Sequence, residues 1–144
     1  MVLMLSRLSQ GCALALLLSG CVATAAGPPA GPRFDGVYQG ASRLVSGGGP
    51  LCGMPDAQLV LTVRDGQFDY PFLVNAPRTA PLHVQIATDG SFRGDMQFGV
   101  VEPRGSRADY RTEWATVAGH IVGSTMQGTI ENLECTRQMS MQQR

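Results

Sequence analysis

The chain contains no lysine, and its 11 basic side chains, all arginines, balance 11 acidic residues. These arginines are scattered along the sequence, so no basic stripe predicts binding to nucleic acid. Histidine occurs only twice, and neither His83 nor His120 stands among cysteine or carboxylate residues at metal-ligand spacing. We therefore expect no metal, no cofactor and no nucleic-acid partner.

Motifs of catalysis and phosphate binding are also missing from the sequence. There is no Gly-x-Ser-x-Gly elbow around a nucleophilic serine. The Gly-rich stretch "VSGGGPLCGMP", residues 45–55, lacks the Gly-Lys-Ser/Thr ending of a phosphate-binding loop. The sequence thus predicts a protein that is not an enzyme and has no catalytic residues.

The chain has no apolar run of the roughly 20 residues that a membrane-spanning helix needs. Its longest candidate, "ALALLLSG" at residues 13–20, follows a short segment with one basic residue, Arg7. This arrangement is typical of a secretory signal peptide, which we assign to residues 1–20. Two cleavage sites compete, because "ATA" at residues 23–25 also fits ordinary signal peptidase.

Leu18-Ser19-Gly20-Cys21 resembles the lipobox of bacterial lipoprotein precursors. The resemblance implies that the Cys21 sulfur receives a diacylglyceryl group and that cleavage falls just before it. Stable anchoring takes more than one acyl chain, which a lipidated N-terminal cysteine supplies. Val22 follows, and the absence of Asp there favours the outer membrane, with the domain facing the periplasm. If the later cleavage site is used, the protein is instead a soluble periplasmic or secreted one.

Cys12 lies in the signal peptide, and Cys21 is either lipidated or removed, so both cleavages leave only Cys52 and Cys135 free to pair. An exported domain is in an oxidising compartment, so we predict a disulfide between them. Residues 21–33 include "VATAAGPPAGPR", a composition typical of a tether. If it is extended, its 12 residues after Cys21 would reach about 37 Å. A single β-domain is expected over residues 34–144.

Hydrophobic residues in this domain recur with a period of two, which predicts strands. Asp65-Gly66 and Asp89-Gly90 each separate two such segments and are strong hairpin signals. Eight strands are expected, in the ranges 34–45, 58–64, 67–74, 81–87, 91–98, 110–122, 125–133 and 135–142. An antiparallel meander of eight strands favours a small closed barrel with lipocalin- or avidin-like geometry, and a two-sheet sandwich is the alternative.

Five residues are candidates for contacts inside the barrel. An arginine on an apolar strand face needs a partner, and an indole ring is one such partner. The pair Trp114 and Arg137 resembles the Trp–Arg packing that closes one end of lipocalin-like barrels. The same pair, with Tyr70, Phe72 and Met139, would otherwise line a site for a small apolar ligand.

The segment "GVVEPRGSRAD", residues 99–109, is expected to be the longest irregular loop. Binding functions concentrate on such loops, so Glu102, Arg104, Arg107 and Asp109 are candidates for contact with a partner protein. The opening "FDGVYQG" also resembles small exported bacterial proteins of unassigned function. We expect a lipid-anchored cell-envelope protein with an interaction or structural role. Binding of a small apolar ligand and inhibition of an envelope protease are the alternatives.

Overall fold

A computed structural model describes residues 27–71, 81–104 and 107–144 of the chain. Eight antiparallel strands form one nearly closed, barrel-shaped sheet, so the predicted barrel is confirmed in preference to the sandwich. The strands are β1 (Gly36–Gly47), β2 (Asp56–Val63), β3 (Gln67–Tyr70), β4 (Leu82–Ile86), β5 (Ser91–Arg104), β6 (Arg107–Val122), β7 (Thr125–Asn132) and β8 (Cys135–Gln143). Two short 3-10 helices precede β1 and β2, at Gly31–Phe34 and Pro50–Cys52.

The sheet closes between β1 and β8, and its two edge strands are β2 and β3. The sheet is therefore open between β2 and β3. This opening was not expected, because the predicted Asp65-Gly66 turn joins these two strands. Arg64 and Gln67 exchange two backbone hydrogen bonds beside the turn, but the described strands pair no further.

Alternation along the strands fills the barrel interior with apolar side chains. Along β2 exposed and buried side chains alternate without exception. Its buried residues are Ala57, Leu59, Leu61 and Val63. Where Gly119 of β6 faces Gly128 of β7, the Phe92 ring occupies the inner space that their side chains would need. No helix in the described part of the chain is long and apolar enough to span a membrane.

One end of the barrel, which we call the closed end, is covered by Gly31–Phe34. Phe34 packs against the core and its carbonyl accepts a hydrogen bond from the Tyr38 hydroxyl at 3.0 Å. The Asp35 carboxylate accepts backbone N–H groups of the β2–β3 turn at 3.0 and 3.3 Å. Two further hairpin turns, at residues 88–90 and 123–124, lie at this end, and the β7–β8 turn lies at the opposite end.

The chain enters the barrel at the closed end. Pro29 forms a bridge with Ala87, and the Ala30 N–H donates to the Ile86 carbonyl at 2.9 Å. Residues 27–33, which the sequence assigned to the tether, therefore pack against the barrel. Only residues 22–26 remain between Cys21 and this docked segment, a length of at most about 16 Å when extended.

Candidate functional site

The end of the barrel opposite the chain entry, which we call the disulfide end, contains most of the residues that the sequence singled out. The predicted bridge between Cys52 and Cys135 forms there, with Cα atoms 5.8 Å apart. It joins the 3-10 helix before β2 to the first residue of β8. Cys21, the predicted lipidation site, lies outside the described residues.

Arg137 is buried at this end, with only 4% of its surface exposed. Its Nε donates to the Ser42 hydroxyl at 2.9 Å, and Nη2 donates to the Ser42 carbonyl at 2.8 Å. Its Nη1 donates to the carbonyls of Cys52 and Met54 at 2.7 and 2.6 Å. The guanidinium thus ties β1 to the loop that contains the disulfide. The charge is accommodated by carbonyl dipoles instead of an indole ring.

Trp114 does not pack on Arg137, so the predicted closing pair is wrong. Its side chain is 55% exposed and lies on the outer face of the sheet. Strand alternation explains this outcome, because the neighbouring inward positions are taken by Glu113 and Ala115, both buried. Trp114 therefore cannot line the interior.

Tyr70 and Met139 point into the barrel and are almost completely buried, as the sequence predicted for interior residues. Burial raises the pKa of Tyr70, and the Ser42 hydroxyl and the Arg137 charge offset part of that increase. Phe72, the remaining interior candidate, lies outside the described residues. Because Ser42, Glu113 and Arg137 are buried at the disulfide end, the interior there is polar, whereas the rest of the core is apolar.

A second arginine at this end holds two carboxylates. Arg111 Nε lies 2.6 Å from the buried Glu113 carboxylate, and its Nη2 lies 3.8 Å from that of Glu134. Glu134 also accepts the Leu51 backbone N–H at 2.9 Å. The contact between Glu134 and Leu51 holds the disulfide loop against the β7–β8 turn, and Arg111 links that turn to β6. The second carboxylate oxygen of Glu113, Oε2, is buried without a hydrogen-bond partner among the described residues.

The described residues of the expected irregular loop, 99–104 and 107–109, instead lie in two long strands. Residues 97–104 of β5 and 107–114 of β6 are in continuous antiparallel register, which places Glu102 opposite Asp109 and Arg104 opposite Arg107. Among the described residues, these two stretches pair only with each other, because the β6–β7 ladder begins at Ala115. We call this two-stranded extension the arm. The four charged candidates are thus strand residues of the arm.

Exposed apolar side chains are concentrated at the disulfide end, and of these the sequence analysis singled out only Trp114, which it placed inside the barrel. Trp114 lies beside the β7–β8 turn, where Leu133 is 75% exposed, and Met54 in the disulfide loop is 68% exposed. This loop touches the same turn, since Asn132 Nδ2 donates to the Leu51 carbonyl at 3.0 Å. We call the set the apolar rim, and its members are Val45, Met54, Val101, Trp114 and Leu133.

The two histidines lie on the outer face of the sheet. His83 contacts the Asp69 carboxylate, and both side chains are well exposed. In the part of the chain that the structure describes, no group of three or more His, Cys, Asp or Glu residues could hold a metal ion.

Fold and surface together define the class of this protein as a small all-β barrel with one disulfide and an exposed apolar rim. Comparison with protein-family models, with curated proteins and with solved structures finds no match for this chain.

Proposed function

We propose that this is a lipid-anchored cell-envelope protein that binds a partner protein through the apolar rim. The observation that supports this most directly is the exposure of Trp114, Leu133 and Met54 at one end of the barrel. Tryptophan is enriched among the residues that dominate binding energy at interfaces, and a rim of apolar residues is a common sign of an interaction site. The proposed role is therefore interaction with a partner protein.

The orientation of the domain supports the same proposal. The chain enters at the closed end, so an anchor at Cys21 would hold that end towards the membrane. The apolar rim lies at the opposite end and would face the periplasm. A rim in this position is accessible to a partner, whereas a rim beside the anchor would be shielded by the bilayer.

The packed interior favours a surface role over a small apolar ligand inside the barrel. Large side chains occupy the described inner face and are almost inaccessible to solvent, among them Tyr38, Phe68, Phe92, Met126 and Met141. A ligand would have to displace several of them, at a cost comparable to the burial of each.

The anchor is tested by measuring the intact mass of the protein extracted from native membranes. We expect a chain that begins at Cys21 and has added acyl mass. A chain that begins near Ala26 or Gly27 without added mass would contradict the anchor. The protein would then be a soluble periplasmic or secreted barrel, and the binding proposal would still be open to its own test.

The binding surface is tested by cross-linking in intact cells. A photo-reactive amino acid at position 114 should give a discrete cross-linked protein that is lost when Leu133→Ser is added. Val122 offers a matched control, because it is 70% exposed but lies at the closed end. Truncation of an interface tryptophan costs about 2 kcal/mol, so Trp114→Ala should weaken binding of the identified partner about 30-fold. Equal cross-linking from positions 114 and 122 would contradict the proposal.

A further inference from the structure

We propose a second binding site on the side of the barrel, where an uncharged oligosaccharide binds across β6, β7, β8 and β1. The outer face of these four strands has an open depression of about 940 Å3. At the usual spacing of neighbouring strands it spans about 14 Å. It lies away from the apolar rim, so the proposal does not depend on the binding of a partner protein there.

Small residues create the depression. Ala41 of β1 and Ala118 of β6 point outward at its two sides, where longer side chains would fill it. Between them, Gly119 and Gly128 face each other at inward positions with the Phe92 ring beneath them, so only backbone is presented to the depression there. Glycines in strands allow close approach and sharp bending of the backbone. The depression is thus built into the sheet and does not depend on a loop.

Amide and hydroxyl groups supply the polar lining. Thr129 faces Gln138 across β7 and β8, and Gln127 faces Ser140 one step along the same strands. Within the described part of the chain, none of these four side chains makes a hydrogen bond. Together they offer donors and acceptors in two parallel rows. This is the complement of a ligand that presents many hydroxyl groups.

The charges at the margin of the depression are already engaged. Arg43 Nε lies 3.4 Å from the Asp56 carboxylate. At the other side, hydrogen bonds from Ser91 and a smaller contribution from His120 lower the pKa of Asp89. A nucleic acid or an acidic polysaccharide would need a surplus of free cations, which this face does not offer.

The lining also argues against a protein or an apolar ligand in this position. Protein interfaces have aromatic or large aliphatic anchors at their centre. Here the apolar lining consists of two alanines and of Met139, whose side chain points into the barrel. An uncharged sugar chain needs neither a large apolar side chain nor a free cation on the protein, and its hydroxyl groups can form hydrogen bonds with each amide and hydroxyl of the lining. Its chemistry therefore fits this face best.

The test is calorimetric titration of the purified full chain with three neutral tetrasaccharides: cellotetraose, maltotetraose and chitotetraose. We expect binding of at least one of them that does not change between about 0.05 and about 0.5 M NaCl, because no charge is involved. The double variant Gln127→Ala with Gln138→Ala should bind about tenfold more weakly, since each lost group contributes a modest hydrogen-bond free energy.

A matched control uses Gln67→Ala with Gln85→Ala, two exposed glutamines that face each other on β3 and β4, strands that do not line the depression. This control and Trp114→Ala should both bind the sugar as the unchanged protein does. Absence of binding to all three tetrasaccharides would overturn the proposal. So would binding that survives the Gln127 and Gln138 substitutions, or binding that appears only with acidic sugars and disappears with salt.

Discussion

Replacing Arg137 with methionine removes the donors that hold the disulfide loop to β1 while keeping a side chain of similar length. The Ser42 and Cys52 carbonyls, both in buried residues, would then lose their charged donor. An unsatisfied buried acceptor costs about 1–3 kcal/mol. Two of them give about 4 kcal/mol, which is a large fraction of the roughly 5–15 kcal/mol that stabilises a typical domain.

Urea unfolding of the oxidised full chain, followed by far-UV circular dichroism, measures this loss directly. We expect a lower midpoint with an unchanged slope, and a fall in Tm of about 15 °C at about 4 °C per kcal/mol. The matched control is Arg43→Met on β1. Its guanidinium is exposed and pairs with an exposed carboxylate, so its loss should cost less than about 1 kcal/mol.

A lysine at position 137 separates charge from geometry. Its donors sit on one nitrogen, so they cannot reach the carbonyls of both Ser42 and Met54 as the planar guanidinium does. We therefore expect a stability between those of the methionine variant and the unchanged protein. The reasoning is refuted if Arg137→Met costs no more than Arg43→Met. A lysine variant as stable as the unchanged protein would refute the role of the fork geometry.

Three further predictions concern the rest of the barrel. Cys135→Ser should lower the free energy of unfolding in oxidising buffer by up to about 4.5 kcal/mol, because the bridge closes a loop of 83 residues. If the variant is destabilised equally under reductant, the cysteine acts through side-chain packing and not through the disulfide. Gly119→Ala should cost at least about 1–3 kcal/mol through overpacking, because the added methyl group would clash with the Gln127 carbonyl and Gly128 Cα as well as with the Phe92 ring. Adding Phe92→Leu should therefore recover only a small part of the loss; full recovery would contradict the backbone clash. Burial alone would raise the pKa of Asp95, but the hydrogen bond from Thr116 is among the contacts that hold it below its ordinary value. The stability that ionised Asp95 contributes to the fold should therefore be present above the unfolded-state pKa of about 3.9, and it should be lost as the pH falls through the lower folded-state pKa. Unfolding measured across this acid range should lack that pH dependence in Asp95→Asn.

Much of the barrel could be predicted because its signals are local. Alternation of apolar and polar residues sets which segments are strands, and Gly66 and Gly90 adopt the positive φ that tight turns need. The disulfide was predicted by elimination, because Cys12 and Cys21 were assigned to the signal peptide and to the lipidation site. The position of Trp114 could also have been predicted. Ala115 and Val117 point inward, and successive strand residues point to opposite faces, so Trp114 lies on the outer face.

Other features depend on contacts between distant parts of the chain. The arm was expected as a loop because Gly, Pro and Arg at residues 99–109 are weak strand formers, yet a continuous ladder between β5 and β6 keeps them extended. Likewise, the docking of residues 27–33 depends on backbone groups of Ile86 and Ala87, which no local pattern reveals.

The sequence by itself determined the all-β class, the number of strands, the turns between them and the identity of the disulfide. Each of these follows from residue types that act over a few positions, or from the small number of cysteines. Only the tertiary structure decided where the barrel opens, that Arg137 binds carbonyls of the disulfide loop, and which exposed residues meet at the apolar rim. Those outcomes depend on strand register, because a given side chain meets partners that are 80 or more residues away in the chain.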